Sequence, residues 1–550
     1  MPETAKLIGA AGSGKTSELL SIMDKVISSG VDPREIGFVS FTRAARREAS
    51  TRAADRFGCK VEDLEQHGYF RTLHSIASKA LGTEKGEIIT GNAEDRKWME
   101  EVFQESIGEA KADEDGELIA DSGFSWDSPA RVSLWLWGTA RQRMTSFDGV
   151  WRAAHAIDSR VPELETCTEL VKRYEIAKAA ANKRDFTDLL SRFAGVRFHI
   201  EGPEEVYAFG DVPQLPVWMC DEMQDLSALL AKVLQRLTEP AKWFYACADP
   251  FQCLFHWAGA DPKYFIDWPA HKTKQMPKSW RCAPDILAKG EQILSRCSNY
   301  WDRKVAPADH DGEVRRELLT NALLDVRPSD DWLVLARTNM EAALMGKRLD
   351  RLGVPWKPTK GNNIWTAPIR NAVFRTMKDL QDGNPVDGEQ WRNVLKYLPA
   401  EPWLVRGTKA RFDEFSSEAT EKALLERFPW LQINDLHEVG ATPVLVEAIK
   451  IGEWKTIIDE AEPWLKAVEK WGADTVDNPK IRIGTIHSAK GLEASNVIMN
   501  TTITHQVKKS QETAEGFDEE RRVEYVGATR AKHRLIIAND SQKFLRMDIP

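Results

Sequence analysis

The stretch Gly9-Ala10-Ala11-Gly12-Ser13-Gly14-Lys15-Thr16 constrains this chain more than any other. It follows the apolar pair Leu7-Ile8 directly and precedes an amphipathic run, Leu19-Leu20, Met23 and Val26-Ile27. The order reads as strand, phosphate loop and helix. Glycines at 9, 12 and 14 allow a tight turn that points backbone N–H groups into one concavity. The helix opening at Lys15 aims the positive end of its dipole at the same place. Lys15 is expected to reach the terminal phosphates of a nucleoside triphosphate, and the Thr16 hydroxyl to hold a magnesium ion. A glycine-rich turn before a helix is the plainer alternative, but the strand before and the helical period after favour the nucleotide.

A chain of 550 residues is too long for one core, and at about 150 residues per domain it makes three or four. With 42% hydrophobic and 29% charged residues it is an ordinary folding composition, not a disordered one. The segment Met1-Pro2-Glu3-Thr4 is not a basic-then-apolar leader, and no apolar run approaches a membrane span, so a cytoplasmic protein without a membrane partner is expected. Seven cysteines lack any CxxC pair, which suits reduced thiols and disfavours zinc or disulfide scaffolds. A net charge of −9 argues against a globally basic surface but leaves room for a local basic track. The 20 tryptophans are costly to place and serve as core or as stacking platforms for bases.

In chain order, Ile36 to Thr42 reads as a buried strand followed by a helix on which Arg43, Arg46 and Arg47 share a face. That face is either solvated or set against a phosphodiester backbone, and its position at a strand end keeps both open. His74, within Arg71-Thr72-Leu73-His74-Ser75, reads equally well as a buried histidine. Residues 80–180 read as a helical insertion with tryptophans at 126, 135, 137 and 151 as its core. The buried strand Val217-Trp218-Met219-Cys220 then delivers Asp221-Glu222. Two adjacent carboxylates at the end of a parallel strand are expensive without a compensating cation. Asp221 is expected to bind magnesium, and Glu222 to orient and deprotonate the attacking water. The strand Trp243 to Ala248 ends at Asp249, with Gln252 placed to sense the terminal phosphate and Trp257 five positions on. A second α/β unit starts near 285, is interrupted by helical sequence over about 370–475, and ends with a polar loop at 507–518, a helix from Glu519 and a last strand.

The order of these motifs resembles that of superfamily-one DNA helicases of the UvrD/Rep/PcrA type, over nearly the whole chain. The carrying stretches are GAAGSGKT (9 to 16), FTRAARREA (41 to 49), TLHS (72 to 75), DFTDLL (185 to 190), DEMQD (221 to 225), ADPFQ with FHWAGA (248 to 260), SWRC (279 to 282), LARTN (335 to 339), TIHSAKGLE (485 to 493) and EYVGATRAK (524 to 532). The resemblance implies an α/β fold of two RecA-like P-loop domains with parallel sheets, each carrying a mainly helical insertion. The first domain would comprise 1–79 and 181–284 with insertion 80–180, and the second 285–370 and 476–550 with insertion 371–475.

It also implies an ATP-dependent, DNA-stimulated helicase that moves 3′ to 5′ on single-stranded DNA and unwinds duplex at single-strand/duplex junctions. The alternatives are a translocase without processive unwinding and a nucleotide-gated DNA-sensing or partner-binding module. By the resemblance, Arg281 and Arg530 reach the transferred phosphoryl group from the second domain, Trp280 stacks on adenine and Glu493 meets the ribose. Trp257, with Thr42, Arg43, His74 and His487, lines the single-strand track. ATP and magnesium are the implied cofactors, and a nuclease, replication or repair partner in trans, with a monomer or weak oligomer, fits the family. The chain departs from it in three places. Only Met1 to Lys6 precede the first strand, so the family's glutamine-containing adenine segment is not expected here. Ala258 and Pro250-Phe251 stand where the family has an arginine and an acidic pair, and the second insertion is small.

Overall fold

The computed structural model describes residues 2–40, 43–105, 128–363, 365, 367–414, 418–459, 461–541 and 545–550. Two six-stranded sheets, parallel throughout, organise it. The first runs Tyr69–Arg71, Ile36–Val39, Val217–Cys220, Trp243–Ala248, Glu3–Ile8 and Lys272–Gln275. The second runs Lys357–Pro358, Ile481–Thr485, Trp332–Ala336, Ala494–Asn500, Ala531–Asn539 and Glu313–Leu318.

Central strands such as Val217–Cys220 and Trp332–Ala336 are buried at every position. That is why they read as continuous apolar runs: helices cover both faces of a parallel sheet. Alternate side chains sort to opposite faces. Val217 and Met219 join helices Lys15–Ser28 and Arg43–Phe57, whereas Trp218 and Cys220 join helices Leu73–Ala80, Phe186–Ala194 and Ala228–Thr238. Gly37 is what lets Trp218 lie flat, since a Cβ there would stand 2.2 Å from the indole. In the second sheet Trp332 and Val334 face helix Asn339–Arg351. Leu333 and Leu335 face helices Pro284–Leu294 and Ala514–Ala528.

Helical sequence separates strands of both sheets. Between Tyr69–Arg71 and Val217–Cys220, helices Pro129–Arg143, Phe147–Ile157 and Leu164–Ala180 enclose a core with Trp137 at its centre and Trp135 and Trp151 at its edge; Trp126 lies outside the described residues. Between Lys357–Pro358 and Ile481–Thr485, a separate core gathers Trp365, Trp391, Trp454 and Trp464. Most tryptophans are thus core, although Trp430 is 71% exposed. The expected polar loop at 507–518 is largely helical: helices His505–Ser510 and Ala514–Ala528 occupy it. The Thr513 hydroxyl accepts the Gly516 N–H and starts the second helix five residues ahead of Glu519. Polar residues concealed this start, because Asp518, Glu520, Arg521 and Glu524 are buried on it as ion-paired or hydrogen-bonded groups. No helix among the described residues is long and apolar enough to cross a membrane.

A buried charge cluster fastens the first helical segment to its sheet. Asp185 caps helix Phe186–Ala194 and pairs with Arg141 at 2.8 Å and Lys178 at 2.9 Å, while Asp188 pairs with the same cations at 3.0 and 2.6 Å. The Asp185, Asp188 and Glu175 carboxylates are therefore each already paired with cationic side chains. Asp185→Ala is expected to cost about 3–5 kcal/mol, since it removes a helix cap and a buried ion-pair partner of both Arg141 and Lys178 at once. Chemical denaturation against the native chain measures this.

Candidate functional site

The first strand, Glu3–Ile8, begins ahead of Lys6 rather than after it, because its pairing with Trp243–Ala248 takes in the polar residues too. It ends in the glycine loop, and helix Lys15–Ser28 begins at Lys15, as expected. Gly12 and Gly14 hold φ of 68° and 78°, left-handed values that a side chain would strain. A Cβ on Gly9 would stand 2.1 Å from the Ser13 hydroxyl, so the loop closes only with glycine there. Lys15 is buried, its ammonium donating to the carbonyls of Gly9 at 3.1 Å and Ala10 at 3.2 Å. The Ser13 hydroxyl is buried without a hydrogen-bond partner among the described residues. A cation and an unpaired hydroxyl in a backbone concavity at a helix N-terminus fit a phosphate chain.

The carboxylate pair lies beside the loop because Val217–Cys220 neighbours Trp243–Ala248, which neighbours Glu3–Ile8. The Thr16 hydroxyl donates to Asp221 Oδ2 at 2.8 Å. Asp221 Oδ1 accepts the Glu222 N–H at 2.9 Å and the Cys247 thiol at 2.8 Å. A carboxylate and a hydroxyl side by side are hard oxygen donors, the set that suits magnesium. Burial and the Glu222 charge push the Asp221 carboxyl up, so the site gains from an added cation. Burial also pushes Glu222 up, but Lys490 and Lys15 outweigh it and hold that carboxyl below its ordinary value. Glu222 is therefore anionic, as a base must be. Its backbone sits at φ 57°, a strained setting for a non-glycine residue that turns its side chain out of the strand line.

Cations converge on the same place from two segments, Arg530 just after helix Ala514–Ala528 and Arg281 just before helix Pro284–Leu294. Arg530 is buried, donates to Gln252 Oε1 at 3.0 Å and to the Val526 carbonyl at 3.0 Å, and is pulled down to about 10 by burial and by Arg281. Arg281 Nε donates to Glu493 at 2.6 Å, and Lys532 holds the other oxygen of Glu493 at 2.5 Å. The segment carrying Arg281 is clipped to the loop: Trp280 N–H donates to the Gly12 carbonyl and the Ser279 hydroxyl to the Ala11 carbonyl, both at 2.8 Å. Trp280 is 66% exposed, with the Lys278 ammonium 4.5 Å from its ring centroid and the Gly14 backbone beside it.

The residues expected along a nucleic-acid track have separate settings. Trp257 is half-buried, edge-on to Phe255 at 6.3 Å, and its carbonyl accepts the Thr139 hydroxyl. His74 stands edge-on to Phe186 at 6.0 Å. His487 is buried with Nδ1 unpaired; burial, Arg337 and Lys490 hold it well below its ordinary value, so it is neutral. Thr42 and the side chain of Arg43 lie outside the described residues, although Arg43 begins helix Arg43–Phe57. The nucleotide candidates thus form one connected cluster, whereas Trp257, His74 and His487 each have their own packing environment.

Several residues of the cluster escaped sequence reasoning. Lys490 reaches across to pair with Asp225, donates to the Gln252 carbonyl at 2.9 Å and stands 3.7 Å from Glu222. Its signal was its place in TIHSAKGLE, between two residues singled out there. Cys247 had none, since a cysteine in a buried strand reads as packing. His256, one residue before Trp257, pairs with Glu515 on helix Ala514–Ala528.

Comparison with known proteins covers both halves of this cluster. Residues 2–271 match the UvrD/REP helicase N-terminal domain and residues 462–542 the UvrD-like helicase C-terminal domain. Among curated relatives, the chain is 23% identical to the ATP-dependent DNA helicase Rep of Escherichia coli, over 96% of this chain and 87% of that one. It is 20% identical to the ATP-dependent DNA helicase PcrA of Leuconostoc citreum, over 98% and 80%. It is 22% identical to the ATP-dependent DNA helicase UvrD2 of Mycobacterium tuberculosis, over 97% and 76%. With these matches running through both parallel sheets and the cluster between them, the chain belongs to the UvrD/Rep/PcrA-type family of ATP-dependent DNA helicases.

Proposed function

We propose that this helicase walks 3′ to 5′ along single-stranded DNA and unwinds duplex at single-strand/duplex junctions, each step driven by ATP hydrolysis between the two sheet bodies. The observation that supports it best is the contact of Arg530 with Gln252 at 3.0 Å, which brings a cation of one body against the polar end of a strand of the other. The bodies follow the division 1–79 with 181–284 and 285–370 with 476–550, and the helical segments 80–180 and 371–475 are their insertions.

In this reading the amides from Gly9 to Thr16, with Lys15, cradle the phosphates. Magnesium, held by Thr16 and Asp221, supplies positive charge to the phosphate oxygens. Glu222 orients a water and takes its proton, and Gln252 reports the terminal phosphate. Arg281 and Arg530 stabilise the charge that develops during transfer, a role in which a single arginine carries about 3 to 5 orders of magnitude in rate. Trp280 offers its open face to the base, and Glu493 meets the ribose once Arg281 turns from it to the phosphates. Trp257 stacks on a base, with Thr42, Arg43, His74 and His487 further along the strand. The triphosphate charge draws Arg281 and Arg530 inward, hydrolysis releases them, and alternate gripping converts the cycle into steps.

Lys15→Ala and Glu222→Gln are each expected to lower DNA-stimulated ATP turnover by about a hundredfold or more while DNA binding survives. Normal turnover in Glu222→Gln would remove it as the base. Trp257→Ala should weaken single-strand binding by about 1–3 kcal/mol and lower DNA stimulation more than ATP affinity. Unchanged stimulation would return Trp257 to a packing role. Strand displacement on 3′-tailed against 5′-tailed duplex tests direction: separation of the 5′-tailed substrate alone would overturn the polarity.

A further inference from the structure

Beneath the nucleotide cluster lies a buried polar group that the scheme above does not use. Tyr525, on helix Ala514–Ala528, is fully buried, and its hydroxyl meets three partners. It accepts the Ala11 N–H of the phosphate loop at 3.1 Å and Arg303 at 3.3 Å, and donates to Asp249 Oδ2 at 3.1 Å. One donor and two lone pairs are thereby all engaged. Burial pushes the phenol well above its ordinary value, so it stays protonated and keeps donating.

Asp249 carries the connection onward. Its Oδ2 also accepts the Gln252 amide at 2.7 Å, and Gln252 Oε1 accepts Arg530. Its Oδ1 accepts Arg303 at 2.9 Å and the Phe251 N–H at 3.2 Å. Arg303 is fully buried, completed by Glu291 and lying over the rings of Phe251 and Tyr525 at 5.0 and 5.1 Å. It sits on the stretch that runs beside the crossing between the bodies: Gln275 donates to its carbonyl, and Ala306 exchanges hydrogen bonds with Pro277 and Ser279. The path from the loop amide through Tyr525 and Asp249 to Gln252 and Arg530 is therefore continuous.

We propose that Tyr525 is a positioning residue for the phosphate loop: its hydroxyl, oriented by Asp249 and Arg303, fixes the Ala11 amide and so sets loop geometry from the second body. The proposal rests on the nucleotide site proposed above. Without the hydroxyl, Ala11 N–H is left buried and unpaired and the loop must turn to satisfy it, at the expense of the phosphate cradle. The ring itself, packed among Ile286, Val523 and Val526 in the shared core, is not needed for that function beyond filling space.

The test is Tyr525→Phe in the full chain, with Val523→Ala on the same helix as a packing control and Lys15→Ala as a site control. Equilibrium binding of fluorescent ADP and the KM for ATP are measured beside thermal melting. Tyr525→Phe is expected to raise both the ADP Kd and the KM about tenfold, with melting lowered no more than in Val523→Ala. Val523→Ala is expected to melt earlier with unchanged nucleotide affinity. Affinity within twofold of native in a folded Tyr525→Phe protein would overturn the proposal, as would an equal loss of affinity in Val523→Ala. Hydrogen exchange resolved to single residues in the native protein is a second measurement: a slow Ala11 amide without nucleotide is expected, and a freely exchanging one overturns the proposal. ADP binding that is absent in the native chain, or unaffected by Lys15→Ala, would instead strike the nucleotide site itself.

Discussion

Lys490, Arg303 and Arg530 carry full charges into a junction sealed from water, and each is held there by oxygen atoms from the other side. Lys490 of the second body rests on Asp225 and Gln252 of the first, and Arg530 rests on Gln252. Arg303, at the crossing, is shared between Asp249 and Glu291. Taking an ion out of water costs several kcal/mol, and the opposite charge returns about as much as was lost. An interface of this kind contributes little net adhesion but strongly resists half-formed arrangements, because one unpaired member is far worse than all or none.

Strand order is what places these groups opposite one another. Glu3–Ile8 lies between Trp243–Ala248 and Lys272–Gln275, with Ile8 level with both Ala248 and Gln275. The glycine loop, the Asp249 turn and the segment from Met276 to Arg281 therefore leave the same edge at the same height. One strand further, Cys220 is level with Ala246, which sets Asp221 beside Thr16. Parallel sheets bring their ligand groups to one edge in this way, and residues more than two hundred positions apart meet without any local signal between them.

That separation explains what the sequence could and could not reveal. The phosphate loop, the carboxylate pair and the buried strands were legible because each is local: glycine spacing, adjacent acids and unbroken apolar runs carry their physics within a few residues. The connection of Gln252 to Arg530 was half-visible, in that both residues were singled out but nothing in the spacing joined them. Arg303 was invisible, since a lone arginine in a polar stretch reads as surface and only the fold shows it fully buried. The helix start at Thr513 was missed for a related reason. Amphipathic periodicity assumes that charged residues face water, and on Ala514–Ala528 the buried face includes Glu520, Arg521 and Glu524, the last pushed up to about 8 by burial.

The departures from the family pattern gain a physical reading from the same geometry. Phe251, standing where the resemblance places an acidic residue, packs its ring 4.6 Å from Trp301 and 5.0 Å from Arg303. An acid there would have competed with Asp249 for the Arg303 guanidinium; a ring leaves Asp249 as the carboxylate shared by Arg303, Tyr525 and Gln252. Ala258, in place of an arginine, lies in the turn His256–Ala258, and a guanidinium arrives from elsewhere: Arg143, at the end of helix Pro129–Arg143, donates to the His256 carbonyl at 2.9 Å. His256 itself presents Nδ1 to the Ala260 carbonyl and Nε2 to Glu515. Glu515 raises the proton affinity of the ring against the opposing effect of burial. The turn next to Trp257 is thus tied at once to the first helical segment and, through the His256–Glu515 pair, to the helix that carries Tyr525. Of the two, helix Ala514–Ala528 also reaches the glycine loop, through Tyr525 and Ala11.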